Sequence, residues 1–384
     1  MSQANCRDDE SGVKLACLLS YDTLTGTGHC AALPRRAFDQ ISTNRVFPRE
    51  FNVNQATATL PTIEDIRAAA KRIAPEVHRT PILTSRYFNE RLGASLFFKC
   101  ENFQRIGAFK IRGGLNAIRS LSDEEKSRGV VTHSSGNHAQ AISLASAICG
   151  IKATIVMPTN APQVKKNAVR DYGGEIVECE PNEAARVSTA QKIIDETGAT
   201  LVHSYNDPRI IAGQGTSALE LLDDLETPPD IVMTPVGGGG LLSGTSISVK
   251  SLSPRTMVVA GEPAAADDAK RSLEAGKIIP VENPNTIADG LKTSLGTLTF
   301  AAISQNVSQI ITCTEQSIID TMKLVWERMK IIVEPSSAVP LAALLEGNLD
   351  VRGKSVAIIF SGGNVDLNEL PWQKPKQLLP ASST

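Results

Sequence analysis

The sequence predicts an α/β protein in which parallel-type sheets are covered by helices on both faces, and three observations predict it. Short apolar runs lack the polar alternation of a strand with one wet face. Each is followed by a helix-length amphipathic stretch, the pattern of βα units. Four of the runs fall between 129 and 203 and recur every 22 to 25 residues, which implies a compact βα unit set inside a larger one.

In chain order, Thr62 and Asp65 have the spacing of a capping box, and Ile63, Ile66, Ala70 and Ile73 follow at helical intervals. The strands expected after this helix are Ser95–Lys99, Gly129–Thr132, Ala153–Met157, Glu175–Glu178, Thr200–His203, Ile231–Pro235, Met257–Ala260, Gln309–Cys313 and Ser355–Phe360. Residues 1–57 carry no sustained periodicity and are expected to form a poorly ordered extension. The large domain is expected over 58–128 and 207–370, a small inserted domain over 129–206, and a frayed tail over 371–384. Ligands of such sheets bind at strand C-terminal ends.

Composition narrows the function classes. At about 150 residues per domain, a chain of 384 residues makes two compact units and an appendage. Lys and Arg number 39 against 41 Asp and Glu, a formal charge of -2. That balance gives no electrostatic footprint for nucleic acid. No apolar run reaches the roughly 18 residues of a membrane span, and Asp8, Asp9 and Glu10 stand where a secretory signal would be basic and then apolar. The seven cysteines are odd in number, scattered, and contain no C-x-x-C pair, so reduced thiols in a cytoplasmic setting are expected.

The strongest local feature is Gly237-Gly238-Gly239-Gly240, between the strand Ile231–Pro235 and Leu241-Leu242-Ser243-Gly244, which can open a helix. Backbone without side chains lets several N–H groups approach an anion, and a helix start adds its positive dipole end, so phosphate is the favoured guest over a plain turn. The G-x-G-x-x-G fingerprint fails because Leu242 and Ser243 occupy the positions of its third glycine. Gly347–Ser355 resembles a Walker A loop with one residue too many between its glycines and a strand behind it, which removes that reading. A second feature is Lys110, beside Phe109 at a loop-to-helix junction. A partly desolvated lysine near a helix start has a lowered pKa and can form a Schiff base with an aldehyde; the alternative is a solvated surface charge. Thr132-His133-Ser134-Ser135-Gly136-Asn137-His138 runs from a strand end into a helix, which read alone is a cap by Ser134, Ser135 or Asn137. Ser361-Gly362-Gly363-Asn364 ends the last strand and, read alone, is a further turn.

In this order, Phe109-Lys110, Ser134 to His138, the glycines 237 to 240 and Ser361 to Asn364 resemble the fold-type II pyridoxal-phosphate enzymes, in the serine racemase and serine/threonine dehydratase branch. The resemblance runs from about Thr62 to Asp366 and includes Ile287 to Lys292, Leu324 to Lys330 and Glu334-Pro335-Ser336. It implies a two-domain, tryptophan synthase β-like fold. It implies that Lys110 holds pyridoxal 5'-phosphate covalently, that Gly237, Gly238, Gly239 and Gly240 hold the phosphate, that Asn137 meets the ring hydroxyl, that Phe109 packs near the ring and that Ser361 faces the ring nitrogen. Ser134, Ser135, Gly136, Asn137 and His138 then take an amino-acid substrate by its carboxylate. The implied reaction is β-elimination from L-serine, L-threonine or a related 3-hydroxy amino acid, giving a 2-oxo acid and ammonia. Ser135 matches the second-face proton donor of serine racemases, so racemisation and elimination both stay open. A divalent Mg2+ or Ca2+ site at Glu262, Ala266 and Asp268 and a homodimer follow from the same resemblance.

The sequence departs from that pattern at several places. Ala108 replaces the usual Ser before Phe-Lys, Ile106 a frequent Thr, Tyr205 an Asn and Ser204 a Pro, and Pro340 is expected to interrupt the helix after Glu334. These changes bear on substrate preference. From other classes, a catalytically silent phosphate-binding module is opposed by Lys110, and a nucleotide-dependent dehydrogenase by the failed glycine fingerprint.

Overall fold

A computed structural model describes residues 59–373; the expected extension over 1–57 and most of the tail lie outside them. The capping box forms: Thr62 opens α1 (Ile63–Ile73), and Asp65 closes the reciprocal pair at 2.8 Å. The strands are β1 (Ile82–Leu83), β2 (Ser95–Cys100), β3 (Val130–His133), β4 (Ala153–Pro158), β5 (Glu175–Cys179), β6 (Thr200–Leu201), β7 (Ile231–Pro235), β8 (Met257–Pro263), β9 (Gln309–Cys313) and β10 (Ser355–Phe360). Between and around them lie α2 (Arg86–Leu92), α3 (Lys110–Arg119), α4 (Asp123–Arg128), α5 (Asn137–Cys149), α6 (Gln163–Asp171), α7 (Glu183–Thr197), α8 (Pro208–Asp224), α9 (Gly240–Leu252), α10 (Asp268–Ala275), α11 (Thr297–Asn306), α12 (Glu315–Met329) and α13 (Pro335–Leu345).

Two sheets result. The larger has the order β1-β2-β10-β7-β8-β9 and the smaller β5-β4-β3-β6. Every pairing is parallel except β1 with β2, a two-residue strand that periodicity over a longer window does not reveal. Burial explains the absence of polar alternation: β7 and all but the first residue of β10 are buried along their length, as covered parallel strands must be. The expected run Thr200–His203 pairs only through Leu201, because Val202 is the last residue held by β3, through the Val131 carbonyl. Pro340 does not interrupt its helix. α13 runs through it, and Pro340 packs its backbone against Gly261 of β8.

Three helices are stacked unusually closely. A Cβ at Gly244 of α9 would collide with the backbone of Gly215 and Ile211 in α8, and one at Gly213 of α8 would collide with Gly113 and Arg112 in α3. Such contacts require glycine, since backbone cannot yield as a side chain end can. The stack fixes the start of α3 relative to the start of α9.

A buried charge cluster holds the same helix from the other side. Arg112, fully buried, donates to Glu101 at 2.7 and 2.9 Å and to Glu220 at 2.8 Å. Lys99, also fully buried, reaches Glu220 at 3.0 Å and the Thr80 carbonyl at 2.8 Å. Desolvation alone would raise the Glu101 carboxyl; the Arg112 guanidinium overrides it and holds Glu101 below the usual carboxylate range. Removing one partner leaves a buried charge without compensation. Glu101→Gln is therefore expected to destabilise the apoprotein by about 3 kcal/mol, measured as a shift of the urea unfolding midpoint.

Candidate active site

Lys110 is the first residue of α3, and its Nζ donates to the Ser204 carbonyl at 3.0 Å. The amine lies 5.1 Å from the centroid of the Phe109 ring. The side chain as a whole is half-buried, yet desolvation of its amine pulls the pKa down to about 8, against an opposing pull from Glu334. Phe109 is buried and donates its backbone N–H to the Ser361 carbonyl at 3.0 Å, which ties the lysine turn to the end of β10.

The tetraglycine segment joins β7 to α9. Gly239 is the residue before the helix, in the left-handed region at φ 89°, and no side chain caps this start. A Cβ at Gly238 would enter the Tyr205 ring, and one at Gly237 would lie 2.9 Å from the Gly290 carbonyl oxygen. Bare main chain is thus sterically required, and the N–H groups of the first turn of α9 carry the positive dipole end. The neighbours Ser204 and Tyr205 join the two features: one accepts from the Lys110 amine and the next packs on the glycines.

The segment after β3 comes to the same place. The cap of α5 is Gly136, with no side-chain bond, instead of Ser134, Ser135 or Asn137 as the sequence suggested. Ser134 Oγ accepts from the Gly136 N–H at 3.3 Å, a local turn that leaves the helix start uncapped. Asn137 donates to both oxygens of Glu334, at 3.0 and 3.1 Å, and accepts from Asn364 at 2.9 Å. His138 is buried, with Nε2 3.2 Å from the Val202 carbonyl and Nδ1 without a partner. Desolvation pushes His133 and His203 down to about 4, and Arg186 of α7 adds to the fall at His133. These imidazoles are neutral at physiological pH.

Glu334 had no role assigned from the sequence, although its motif stood out. It is buried between Asn137 and Gly362, and desolvation pushes its carboxyl up to about 7. His203 and Asn364 likewise have no role assigned from the sequence, and Tyr205 only a bearing on substrate preference; their tertiary neighbours define their places.

The residues singled out for a metal lie elsewhere, at the end of β8. Glu262 accepts from the N–H groups of Ala269 and Lys270 at 2.8 and 2.9 Å, Ala266 is buried in a 3-10 turn, and Asp268 begins α10. Among the described residues there is no cluster of three or more His, Cys, Asp or Glu side chains arranged for a metal. No helix of the described residues is long and apolar enough to cross a membrane.

Residues 73–362 match the model of the pyridoxal-phosphate dependent enzymes. The chain belongs to this family. It is 52% identical over 313 residues to a beta-hydroxyaspartate dehydratase from Paracoccus denitrificans, covering 82% of this chain and 99% of that one. The solved serine racemase from Dictyostelium discoideum superposes with a TM-score of 0.77 at 51% identity, over 80% of this chain and 99% of the other. The solved serine racemase from maize superposes at 0.79 with 45% identity, over 82% and 96%. The fold is therefore that of the fold-type II pyridoxal-phosphate enzymes, and the chain is an enzyme.

The chain's own residues fit the family's cofactor. A phosphate needs the side-chain-free helix start at 237–240, and an aldehyde needs an amine of which a usable fraction is unprotonated near neutrality. The depressed basicity of Lys110 has a direct readout. With its pKa near 8 against about 10.4 for an ordinary lysine, its acylation by a small anhydride in the apoprotein should rise with pH around a midpoint near 8. Peptide-resolved mass spectrometry measures this, with the exposed lysines as internal controls.

Proposed function

We propose that the chain is a pyridoxal-phosphate ammonia-lyase that removes water from a 3-hydroxy amino acid, L-serine, L-threonine or a hydroxyaspartate, and yields a 2-oxo acid and ammonia. Serine racemisation is proposed as its companion reaction. The observation that supports this most is the weakly basic Lys110 amine, bonded to the loop that packs on a bare helix start. Bound pyridoxal phosphate supplies an electron sink that acidifies the α-proton of an attached amino acid.

The residues then divide the work. Lys110 would hold the aldehyde carbon and, when released, take the α-proton on Nζ; a pKa of about 8 keeps a usable fraction as free amine. Gly237 to Gly240 would seat the phosphate on main-chain N–H groups, Asn137 would bind the ring oxygen and Phe109 would support the ring. The Ser361 hydroxyl would meet the ring nitrogen. The Ser361 hydroxyl, being neutral, would stabilise a protonated ring nitrogen less than a carboxylate does, so the cofactor would supply a weaker electron sink and loss of the β-hydroxyl, protonated as it leaves as water, would be favoured. Ser134 and the N–H groups of Gly136 to His138 would bind the substrate carboxylate at the start of α5. A hydroxyaspartate is included because a relative 52% identical to this chain is a beta-hydroxyaspartate dehydratase.

We also propose that Glu262, Asp268 and the Ala266 carbonyl hold Mg2+ or Ca2+. Desolvation pushes the two carboxyls up to about 8 and 7, and Asp268 Oδ2 is buried without a partner, a strain that a hard cation relieves. The four described cysteines are free thiols, which supports a cytoplasmic setting. The homodimer rests on the family resemblance. A small domain over 129–206 is supported by the four-stranded sheet, whose strands all fall within it.

Two variants test the reading. Lys110→Ala should abolish the visible absorbance band gained with pyridoxal phosphate and lower 2-oxo acid formation by about 10³-fold; a wild-type protein that stays colourless overturns it. Ser135→Ala should lower D-serine formation from L-serine by about 10²-fold while most 2-oxo acid formation persists, measured by chiral chromatography and a coupled assay. An equal fall in both would remove Ser135 as the second-face donor.

A further inference from the structure

Ile106 is a buried β-branched residue held in the left-handed region at φ 59° and ψ 8°, a conformation that L residues with branched side chains avoid. Such strain persists only where the surroundings enforce it, and it aims something. What it aims is the Ile106 carbonyl, which accepts from Asn364 Nδ2 at 2.7 Å.

That contact has a direction. A carbonyl only accepts, so the Asn364 amide must turn its nitrogen toward Ile106. The same nitrogen then donates to Asn137 Oδ1 at 2.9 Å, which turns the Asn137 nitrogen the other way, onto Glu334 at 3.0 and 3.1 Å. Glu334 is itself held by the Asn364 backbone N–H at 3.2 Å and by its own N–H on the Gly362 carbonyl at 3.0 Å. The two oxygens of one carboxylate subtend too narrow an angle to receive both hydrogens of an amide nitrogen. One Asn137 N–H is therefore left unspent, while Asn137 Oδ1 is committed.

We infer that Ile106, Asn364 and Glu334 form a directional chain that makes Asn137 a donor only, so that it selects the ionised oxygen of the cofactor ring over the protonated hydroxyl. This inference rests on the proposed placement of the ring beside Asn137. Asn364 and Glu334 are positioning residues: they act through Asn137. The charged groups facing Glu334 are Lys110 of α3, Asp289 of the 3-10 turn Asp289–Leu291, and Lys165 of α6, which pairs with Asp289 at 2.5 Å. Lys110 and Lys165 favour its ionised form and Asp289 opposes it.

The test compares wild type with Asn364→Ala, which frees Asn137 Oδ1, and Glu334→Gln, whose amide can face Asn137 with either end. Two properties are read. The first is the dissociation constant for pyridoxal 5'-phosphate against its 3-O-methyl ether, which cannot ionise, by equilibrium dialysis. The second is the pH midpoint of the visible band of the loaded protein. Wild type should prefer the parent cofactor by at least about tenfold, with both variants losing most of that preference and their band midpoints rising by about one pH unit, which corresponds to tenfold. Unfolding midpoints of the apoproteins identify a variant that fails to fold, and the other then decides. Variants that fold, keep the tenfold preference and titrate as wild type overturn the chain. If wild type forms no borohydride-reducible adduct at Lys110, the proposed function fails instead, which is a separate outcome.

Discussion

The site depends on the close stacking of α3, α8 and α9. Two functional groups, an amine at the start of α3 and a bare helix start at Gly240, sit on elements far apart in the chain. Glycine at 113, 213, 215 and 244 lets the three backbones approach until they touch. Packed interiors transmit small displacements because they have little free volume. A shift at this crossing would therefore move the amine relative to the glycine loop, and neither can be adjusted alone.

Electrostatics follows from that packing. Enclosure lowers the basicity of Lys110, neutralises the histidines around it and weakens the acidity of Glu334, all through desolvation. Beneath the same helix, Arg112 and Glu101 remain charged because each is matched at hydrogen-bond distance. The protein thus weakens the charge of the groups where chemistry is proposed and confines full charges to an ion-paired cluster beneath the same helix.

Much of this was legible in the sequence. β7 falls where its apolar run placed it, because a covered parallel strand has no competing polar pattern, and β9 has the expected bounds at the sheet edge. The clustering of Lys110, the segment 134–138, the glycine run and Ser361 followed from ordered motifs at strand and helix ends. Three things were not legible. β1 is too short to have a period. The cap of α5 fell to Gly136 because Ser134 turned back on the local backbone. The roles of Glu334, Tyr205 and Asn364 depend on partners 30 to 258 positions away, such as Ile106 for Asn364, and no local window contains them.

The buried cluster of Lys99, Glu101, Arg112 and Glu220 also constrains how such a chain can diverge. Each member is desolvated and matched to the others, so a neutral replacement at one position strands a charge at another. Change at these four places is least costly as a coordinated exchange, because each single step leaves a buried charge uncompensated. The loop at 203–206 carries no such cluster, whereas the helix that presents the amine is held in place by its own counter-ions.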